Sequence, residues 1–351
     1  MSVKSCYSCM KVSLALCFML FLQFAHAQYD FSALDSKLEA SKKELEGHVV
    51  AMIYKDGKVI YQKAIGTDFN AKVQAPIASA SKWLTAALVM VYVDEGRIAL
   101  DDKVSKYLPI FSKYSKGYIT IKDCLSHLTG IESDPIRNLK EMLNRKKYSN
   151  LEEEINDFAS TREIISNPGL EFRYSNIGLN IAAKILEIVT KRSFEQIMAE
   201  KITRPLQMRN TSFASFNAVN PSGGAQSSAG DYMTFLAMIL NKGVHNGKRI
   251  LSEKAIEQME TVYTTANMIK YAPKAAEGFQ YGFGQWIMTT DENGKATAMT
   301  SPGLFGTWPM IDRCRGYACI FFTKGSLGEE KKQLYLTMKD IIDGILPSTC
   351  K

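Results

Sequence analysis

The amino-acid sequence predicts an α+β fold, an α/β sandwich in which an antiparallel β-sheet is flanked by helices and carries a mostly helical inserted subdomain. Two observations predict it. Segments with strand character lie near both ends of the chain, and helical patterns separated by Pro, Gly, Ser and Asn fill the middle. We therefore expect strands from both ends to form one sheet, with a ligand site in the cleft between the sheet and the helical region.

The N-terminal part is expected to contain a helix, a hairpin and a second helix. Residues 31–45 have helical spacing, and residues 49–54 and 59–64 have the composition of two strands joined at the turn signal Asp56-Gly57. An apolar helix is predicted over about residues 79–95, because it begins after an extended segment and Gly96 follows it.

The rest of the chain divides into a helical region and a C-terminal strand region. Helices are predicted at residues 122–128, 151–160, 177–191, 194–202 and 231–240. Strands are predicted at residues 281–289, 305–312 and 317–323, and a closing helix at residues 331–346. We expect one catalytic domain, with its sheet part at about residues 28–100 and 279–351 and its helical insert at about 101–278.

The first residues have the pattern of an export signal. Lys4 and Lys11 precede an uncharged, mostly apolar stretch at residues 12–25, and Ala25-His26-Ala27 has the small-x-small form of a cleavage site. The apolar run is shorter than the roughly 20 residues that span a bilayer. We expect residues 1–27 to be a signal peptide, with an uncleaved anchor as the alternative. The domain at residues 28–351 is then exported, periplasmic or secreted, without a stable membrane span.

Charge and composition disfavour several classes of function. The formal net charge is +7, but the densest basic patch, at residues 145–147, is followed at once by acids at residues 152–154. This distribution does not favour a nucleic-acid partner. We expect a small-molecule or peptide substrate, and the oligomeric state stays open. No cysteine and histidine spacing resembles a metal site and no phosphate-binding loop is present, so we expect no metal and no cofactor.

The four cysteines outside the signal do not form a dense disulfide framework, although an exported protein can hold disulfides. Cys314 and Cys319 are near enough in sequence to approach each other across a hairpin. Buried thiols are the favoured interpretation for Cys124 and Cys319, and the pairing of all four with Cys350 included stays open.

Ser79 and Lys82 form a Ser-x-x-Lys pair. Residues three apart share one face of a helix, so the lysine amine can reach the serine hydroxyl and, when neutral, accept its proton. The pattern also occurs in the signal and at the C-terminal tip, but only Ser79 opens an apolar helix, where free N–H groups favour developing negative charge. A plain helix N-cap is the alternative.

A second motif, Tyr174-Ser175-Asn176, leads from a Pro-Gly loop into a predicted helix. A phenol here can exchange protons with the serine and the leaving group, and the amide can orient the lysine and hold a substrate carbonyl. A buried structural tyrosine is the alternative. The copy of the motif at residues 148–150 is expected to cap a helix. His127, at a predicted helix end, is expected to cap or pack rather than act as a base, and no Gly-x-Ser-x-Gly elbow is present.

A third motif precedes the strand at residues 305–312 and contains Ser301, Pro302, Gly303 and Leu304. Glycine allows a substrate to approach the backbone closely. An N–H group on this strand edge, together with that of Ser79, can form an oxyanion hole. The alternative is an ordinary glycine-rich entry into a strand.

The order and setting of these motifs resemble the serine β-lactamase, penicillin-binding-protein and esterase superfamily, especially its cephalosporinase-like branch. The resemblance covers nearly all of the chain after the signal and includes residues 119–130, 168–176, 223–231 and 281–284. It implies a β-lactamase-like fold and an acyl-enzyme on Ser79. It also implies that Lys82 deprotonates Ser79, Tyr174 passes the proton to the leaving group, and Asn176 positions substrate and lysine. The oxyanion hole is expected at the N–H groups of Ser79 and Leu304.

One departure from the family pattern concerns substrate choice. The third motif commonly starts Lys-Thr-Gly or His-x-Gly, and its cation helps bind a substrate carboxylate; this chain has uncharged Ser301 and Pro302, which lacks an N–H, before Gly303. The favoured hypothesis is therefore an exported serine hydrolase of esterase or amidase type. The second is a D-alanyl carboxypeptidase, D-aminopeptidase or weak β-lactamase, and the third is a non-catalytic binding protein with the same fold.

Overall fold

A computed structural model describes residues 29–133, 146–325 and 331–350. Within these ranges, seven strands form an antiparallel sheet in the order β2-β1-β7-β6-β5-β4-β3. The strands are β1 Val49–Lys55, β2 Lys58–Ile65, β3 Gln280–Tyr281, β4 Trp286–Thr290, β5 Ala296–Thr300, β6 Trp308–Asp312 and β7 Tyr317–Thr323. Because β1 pairs with β7 along its whole length, the N-terminal hairpin joins the C-terminal strands in one sheet. The predicted antiparallel α+β architecture is confirmed.

Helices cover both faces of this sheet and form the region between its two halves. The α-helices of the described residues are α1 Ser32–Ala40, α2 Ser81–Asp94, α3 Ile110–Lys113, α4 Ile121–Leu125, α5 Leu151–Thr161, α6 Ile177–Thr190, α7 Phe194–Met198, α8 Ala229–Leu240, α9 Glu253–Glu260 and α10 Lys332–Ile345. Single turns of 3₁₀ or π helix are Ala78–Ala80, Val104–Lys106, Ala199–Thr203, Ala266–Met268 and Lys274–Ala276.

Short strand pairs outside the main sheet fix the loops around the middle of the chain. They are Ala75–Pro76 with Gln226–Ser227, Phe172–Arg173 with Ile269–Tyr271, and Val244–His245 with Lys248–Arg249. The first pair lies just before Ser79 and the second just before Tyr174, so both anchor segments that carry predicted site residues.

The sheet separates two hydrophobic cores because side chains alternate between its faces. Val50 and Met52 of β1 belong to the core that includes α2 and α8, whereas Val49, Ala51 and Ile53 belong to the core with α1 and α10. Helix α2 is buried at every position from 81 to 92, as expected for a helix that is apolar on all sides. It therefore holds its first turn, and Ser79 before it, in a rigid position.

Several predicted boundaries are wrong, and turn residues with positive φ explain most of them. The strand predicted at residues 281–289 is interrupted after β3, where Gly284 has φ +71°. The strand predicted at residues 305–312 begins only at Trp308, because Gly306 (φ +88°) lies in a turn. The helix predicted at residues 122–128 ends with α4, since His127 has φ +56°. Helix α1 stops at Ala40, and α9 and β5 were not predicted.

The structure contains one disulfide among the described residues, and the sequence left its pairing open. Cys314 is bonded to Cys350, whereas Cys319 lies in β7 opposite Met310 of β6. Cys124 and Cys319 are buried free thiols, as expected, and burial raises the pKa of both.

The predicted signal peptide lies outside the described residues, and the division of the domain near residues 100 and 279 stays a prediction. Among the residues that the structure describes, no helix is long and apolar enough to cross a membrane.

Removing the Cys314–Cys350 disulfide should lower the free energy of unfolding by about 2–4 kcal/mol, because the unfolded chain regains the freedom of a long closed loop. The bond joins residues 36 positions apart and ties the segment after α10 to the turn between β6 and β7. Urea unfolding of a Cys314→Ser/Cys350→Ser variant checks this. Dithiothreitol, the matched control, should weaken only the wild-type protein; equal stability of variant and wild type contradicts the prediction.

Candidate active site

Ser79 lies in the 3₁₀ turn Ala78–Ala80 immediately before α2, with its side chain partly exposed to solvent. The turn is tight: Ala78 has φ +43°, a left-handed conformation that L-residues rarely adopt. Two contacts hold it, since the N–H of Ile77 donates to the Ala225 carbonyl at 3.0 Å and the Tyr232 hydroxyl donates to the Ala80 carbonyl at 2.8 Å. The serine hydroxyl is therefore presented to solvent from a fixed backbone.

Lys82 lies one turn further along and is 1% exposed. Its Nζ atom is 3.3 Å from Ser79 Oγ, which the i, i+3 spacing on a helix face allows. The same nitrogen donates to Asn176 Oδ1 and to the Ser222 carbonyl, both at 2.9 Å. Three oxygens thus lie within hydrogen-bonding distance of this buried amine, and the one that belongs to Ser79 can be reached from solvent.

The second predicted motif reaches the same amine. Tyr174 follows the short strand Phe172–Arg173, and its N–H donates to the Tyr271 carbonyl at 3.2 Å. Its ring lies against the lysine, with Lys82 Nζ 4.7 Å from the ring centroid, a distance suited to a cation–π contact. Asn176 is buried at the start of α6 and is fixed by its bond from Lys82. The structure brings Ser79, Lys82, Tyr174 and Asn176 together.

His127 packs behind Tyr174 instead of facing the serine. Its ring centroid is 4.8 Å from that of Tyr174, and its Nε2 is hydrogen-bonded to the Tyr281 hydroxyl at 3.1 Å. Burial, together with the nearby positive charge of Lys82, holds the pKa of His127 well below its usual range. A neutral, buried histidine in an aromatic cluster agrees with the packing role predicted for it.

The third motif touches the segment that carries the serine. Ser301 is 2% exposed, and its Oγ donates to the Gly284 carbonyl at 3.2 Å and approaches the Ser79 carbonyl at 3.5 Å. A side chain at Gly303 would collide with the Ile77 carbonyl, 2.2 Å from an ideal Cβ position. Glycine is therefore needed here for the close approach of the two backbones.

Leu304 is partly exposed in the turn between β5 and β6, and not on a strand edge as predicted. The turn is closed by hydrogen bonds from the Gly303 N–H to the Thr307 carbonyl at 2.8 Å and from the Gly306 N–H to the Gly303 carbonyl at 2.9 Å. Leu304 directly follows Gly303, whose backbone approaches the Ile77 carbonyl just before Ser79.

Sequence reasoning missed Ser222, whose carbonyl accepts from Lys82. Its own hydroxyl donates to the Asn176 carbonyl at 2.9 Å, and both groups are buried. A main-chain acceptor leaves no residue-type signature; the only signal was the turn-forming run Asn220-Pro221-Ser222 before two glycines.

A serine hydroxyl that is reachable from solvent, with a buried amine at hydrogen-bonding distance behind it, is the arrangement of a serine hydrolase. The chain belongs to the beta-lactamase family, whose model matches residues 38–339. Members of this family are serine hydrolases, and the described site has the serine and the amine that such chemistry requires.

Sequence and structure comparisons agree with this family. Protein flp of Staphylococcus aureus (strain MW2) is 34% identical over 190 residues, covering 49% of this chain and 36% of that protein, so the match spans about a third of this curated relative. A Bacteroides dorei DSM 17855 structure, provisionally assigned as a β-lactamase, has a TM-score of 0.79 at 27% identity, covering 90% of this chain and 99% of that chain. EstCE1, a hydrolase with promiscuous acyltransferase activity, has a TM-score of 0.74 at 19% identity, covering 88% of this chain and 97% of that chain. At this identity the likeness is one of fold alone.

Gly303→Ala should slow acylation of Ser79 by about tenfold or more, because a misplacement of about 1 Å at a reacting group can cost on the order of 100-fold. The added methyl group pushes the Ile77 carbonyl, and with it the turn that holds the serine. Stopped-flow labelling with a fluorophosphonate measures the rate. Gly344→Ala is the matched control, since nothing lies within 4 Å of its Cβ position. Equal labelling rates for Gly303→Ala and wild type count against this geometry.

His127 should make the protein less stable at acid pH. Its pKa is depressed in the folded state, so only the unfolded chain binds its proton as the pH falls below the ordinary value of 6.5. Stability is full above that pH and is lost below it, by at most about 1.4 kcal/mol per pH unit. Urea unfolding at pH 7.5 and 5.5 should show a smaller loss for His127→Gln than for wild type. Identical losses in the two proteins refute the assignment.

Proposed function

We propose that this protein is an exported esterase or amidase that forms an acyl-enzyme on Ser79 and acts on substrates without an essential carboxylate. The observation that carries the proposal is the 3.3 Å contact between Lys82 Nζ and Ser79 Oγ. The lysine is buried while the serine is partly exposed, so a substrate meets the nucleophile first and the base lies behind it.

The partners of Lys82 support its role as the base. A neutral amine has two N–H donors and one lone pair. The Ser222 carbonyl accepts one N–H and Asn176 Oδ1 accepts the other, both at 2.9 Å. Of these three neighbouring oxygens, Ser79 Oγ is the one that carries a proton, so in this proposal the lone pair faces the Ser79 hydroxyl. As Ser79 Oγ bonds to the acyl carbon, the hydroxyl proton moves to Nζ, and the carbonyl electrons move onto its oxygen.

Stabilisation of the oxyanion, departure of the leaving group and deacylation use the residues predicted to lie around the serine. The N–H groups of Ser79 and Leu304 receive the oxyanion in this proposal, and the contact of Gly303 with Ile77 supports their proximity. When the carbonyl re-forms, the bond to the leaving group breaks, and a proton from Lys82 reaches the departing alcohol or amine through Tyr174, which lies against the lysine. Water then attacks the acyl carbon and gives up a proton to the same groups. As the bond from the acyl carbon to Ser79 Oγ breaks, that proton passes to Oγ, which restores the serine and releases the acid.

Ser301 supports the choice of substrate class. Its hydroxyl is buried and donates to the Gly284 carbonyl, and the next residue, Pro302, has no N–H. This segment thus offers no cation to a substrate carboxylate. That favours neutral acyl groups over D-alanyl peptides and β-lactams, whose carboxylates the common form of this motif binds.

Export is part of the proposal. The signal pattern at residues 1–27 motivates it, and the Cys314–Cys350 disulfide supports it, because such bonds persist in oxidising compartments. The periplasm or the exterior of the cell is the compartment that we infer.

A substrate panel with matched variants tests the function. Wild-type protein should hydrolyse short-chain 4-nitrophenyl esters or neutral amides. Ser79→Ala should lower kcat by about 10³-fold or more, because the residual rate then comes only from binding and the oxyanion hole. Ser160→Ala, which changes an exposed serine on α5, is the control and should be unchanged. Turnover that survives in Ser79→Ala overturns the proposal.

Acyl chains of equal length, one ending in a methyl group and one in a carboxylate, separate the substrate classes. We expect kcat/KM to be about tenfold higher for the neutral ester, since a missing charge-assisted hydrogen bond is worth roughly 1.5–3 kcal/mol. Nitrocefin and D-alanyl-D-alanine peptides, tested alongside, should be poor substrates. A preference for the carboxylate ester or for these compounds supports the D-alanyl carboxypeptidase or β-lactamase interpretation instead. An intact fold with no turnover of any compound supports a binding protein.

A further inference from the structure

The orientation of Lys82 depends on a carbonyl that belongs to a loop. One of its two fixed acceptors, Asn176 Oδ1, lies on α6, but the other is the main-chain oxygen of Ser222. Loops generally move more than helices. The position of the lysine lone pair therefore depends on how well the main chain at Ser222 is fixed, beginning with the 221–222 peptide on its N-terminal side.

A buried pair of side chains fixes one end of that peptide. The Ser222 N–H donates to Asn180 Oδ1 at 3.0 Å, and Asn180 Nδ2 donates to Glu154 Oε2 at 2.9 Å. Asn180 follows Asn176 by one helical turn on α6, so both amides project from the same face. Asn180 is 1% exposed and Glu154 is 8% exposed, and the carboxylate comes from a different helix, α5.

A third buried side chain fixes the other end. Thr85 is fully buried on α2, one turn beyond Lys82, and its hydroxyl donates to the Pro221 carbonyl at 2.6 Å. The C=O of the 221–222 peptide is thus held from α2 and its N–H from α6. Helix α2, which carries Lys82, and helix α6, which begins directly after Asn176, thus also clamp the loop between them.

Glu154 supports the orientation of the Asn180 amide. An asparagine side chain carries an acceptor, Oδ1, and a donor group, Nδ2. Glu154 takes the Nδ2 group of Asn180, which leaves Oδ1 for the Ser222 N–H. With an apolar residue at position 154, Nδ2 loses this acceptor, and with it one of the two bonds that hold the amide in this orientation.

We propose that Asn180 and Glu154, helped by Thr85, are positioning residues for acylation: they orient the Ser222 carbonyl that aims Lys82 at Ser79. The inference rests on the proposed function of Ser79 and Lys82 as nucleophile and base. None of the three residues contacts the serine, so their effect is on the rate of proton transfer and not on substrate binding.

The test compares Asn180→Leu, Thr85→Val and Glu154→Leu with wild type in steady-state ester hydrolysis and in fluorophosphonate labelling of Ser79. We expect kcat and the labelling rate to fall about 10- to 100-fold, as for other residues that orient a reacting group through a neighbour, with KM within about twofold. Glu154→Gln keeps an acceptor for Asn180 and should recover most of the rate. Glu152→Gln, a neighbouring exposed glutamate on α5, is the matched control and should be unchanged.

The controls separate this inference from the proposed function. Wild type against Ser79→Ala decides whether the serine is the nucleophile; the ratio of each variant to wild type decides whether the clamp matters. Thermal unfolding reports the fold of each variant, and Thr85→Val, which exchanges a hydroxyl for a methyl group, keeps the test open if Asn180→Leu does not fold. Folded Asn180→Leu or Thr85→Val with wild-type kcat overturns the proposal. So does a Glu154→Gln rate as low as that of Glu154→Leu.

Discussion

The burial of the Lys82 amine against three oxygens is the constraint on which the rest of the site depends. A charged or half-paired amine in an apolar interior is costly, so each hydrogen of Nζ needs a partner. When the amine is protonated, Asn176 Oδ1, the Ser222 carbonyl and Ser79 Oγ can each accept one of its hydrogens. When the amine is neutral, its lone pair can face Ser79, because of these three oxygens only the serine hydroxyl carries a proton to give. The direction of proton transfer, from the serine to the lysine, follows from this difference between the three oxygens.

The fold holds Lys82 and Ser79 in place because, at three glycines, backbone segments approach each other with no side chain between them. Gly284 meets the first turn of α2, where its Cβ would lie 2.5 Å from the Lys82 carbonyl, and Gly178 meets α4, where its Cβ would lie 2.1 Å from the Cys124 carbonyl. Gly303 meets the segment before Ser79 in the same way. The sheet, the helical region and α2 are thus locked at the points where they carry site residues, which leaves little freedom for the reacting groups to drift.

Sequence reasoning could find the site where function depends on residue type and spacing. Ser79 and Lys82 are three apart on a helix, and the tyrosine motif at residues 174–176 has its own turn before α6, so these could be predicted. Turn geometry was harder: the strand start at Trp308 depends on Gly306 adopting positive φ, which its neighbours in sequence do not dictate. Ser222 could not be found, since it contributes a main-chain oxygen whose place is set only by tertiary contacts with Thr85 and Asn180.

The central claim is that Ser79 carries the acyl group, and acid-quenched mass spectrometry tests it most directly. Wild-type protein is mixed with a 4-nitrophenyl ester, stopped in acid within the first turnover, digested and mapped. We expect the acyl mass on the peptide that contains Ser79, and a strongly reduced yield when Lys82 is changed to methionine, which keeps an unbranched side chain but removes the amine. Acyl transfer to another residue, or an undiminished adduct in Lys82→Met, contradicts the account.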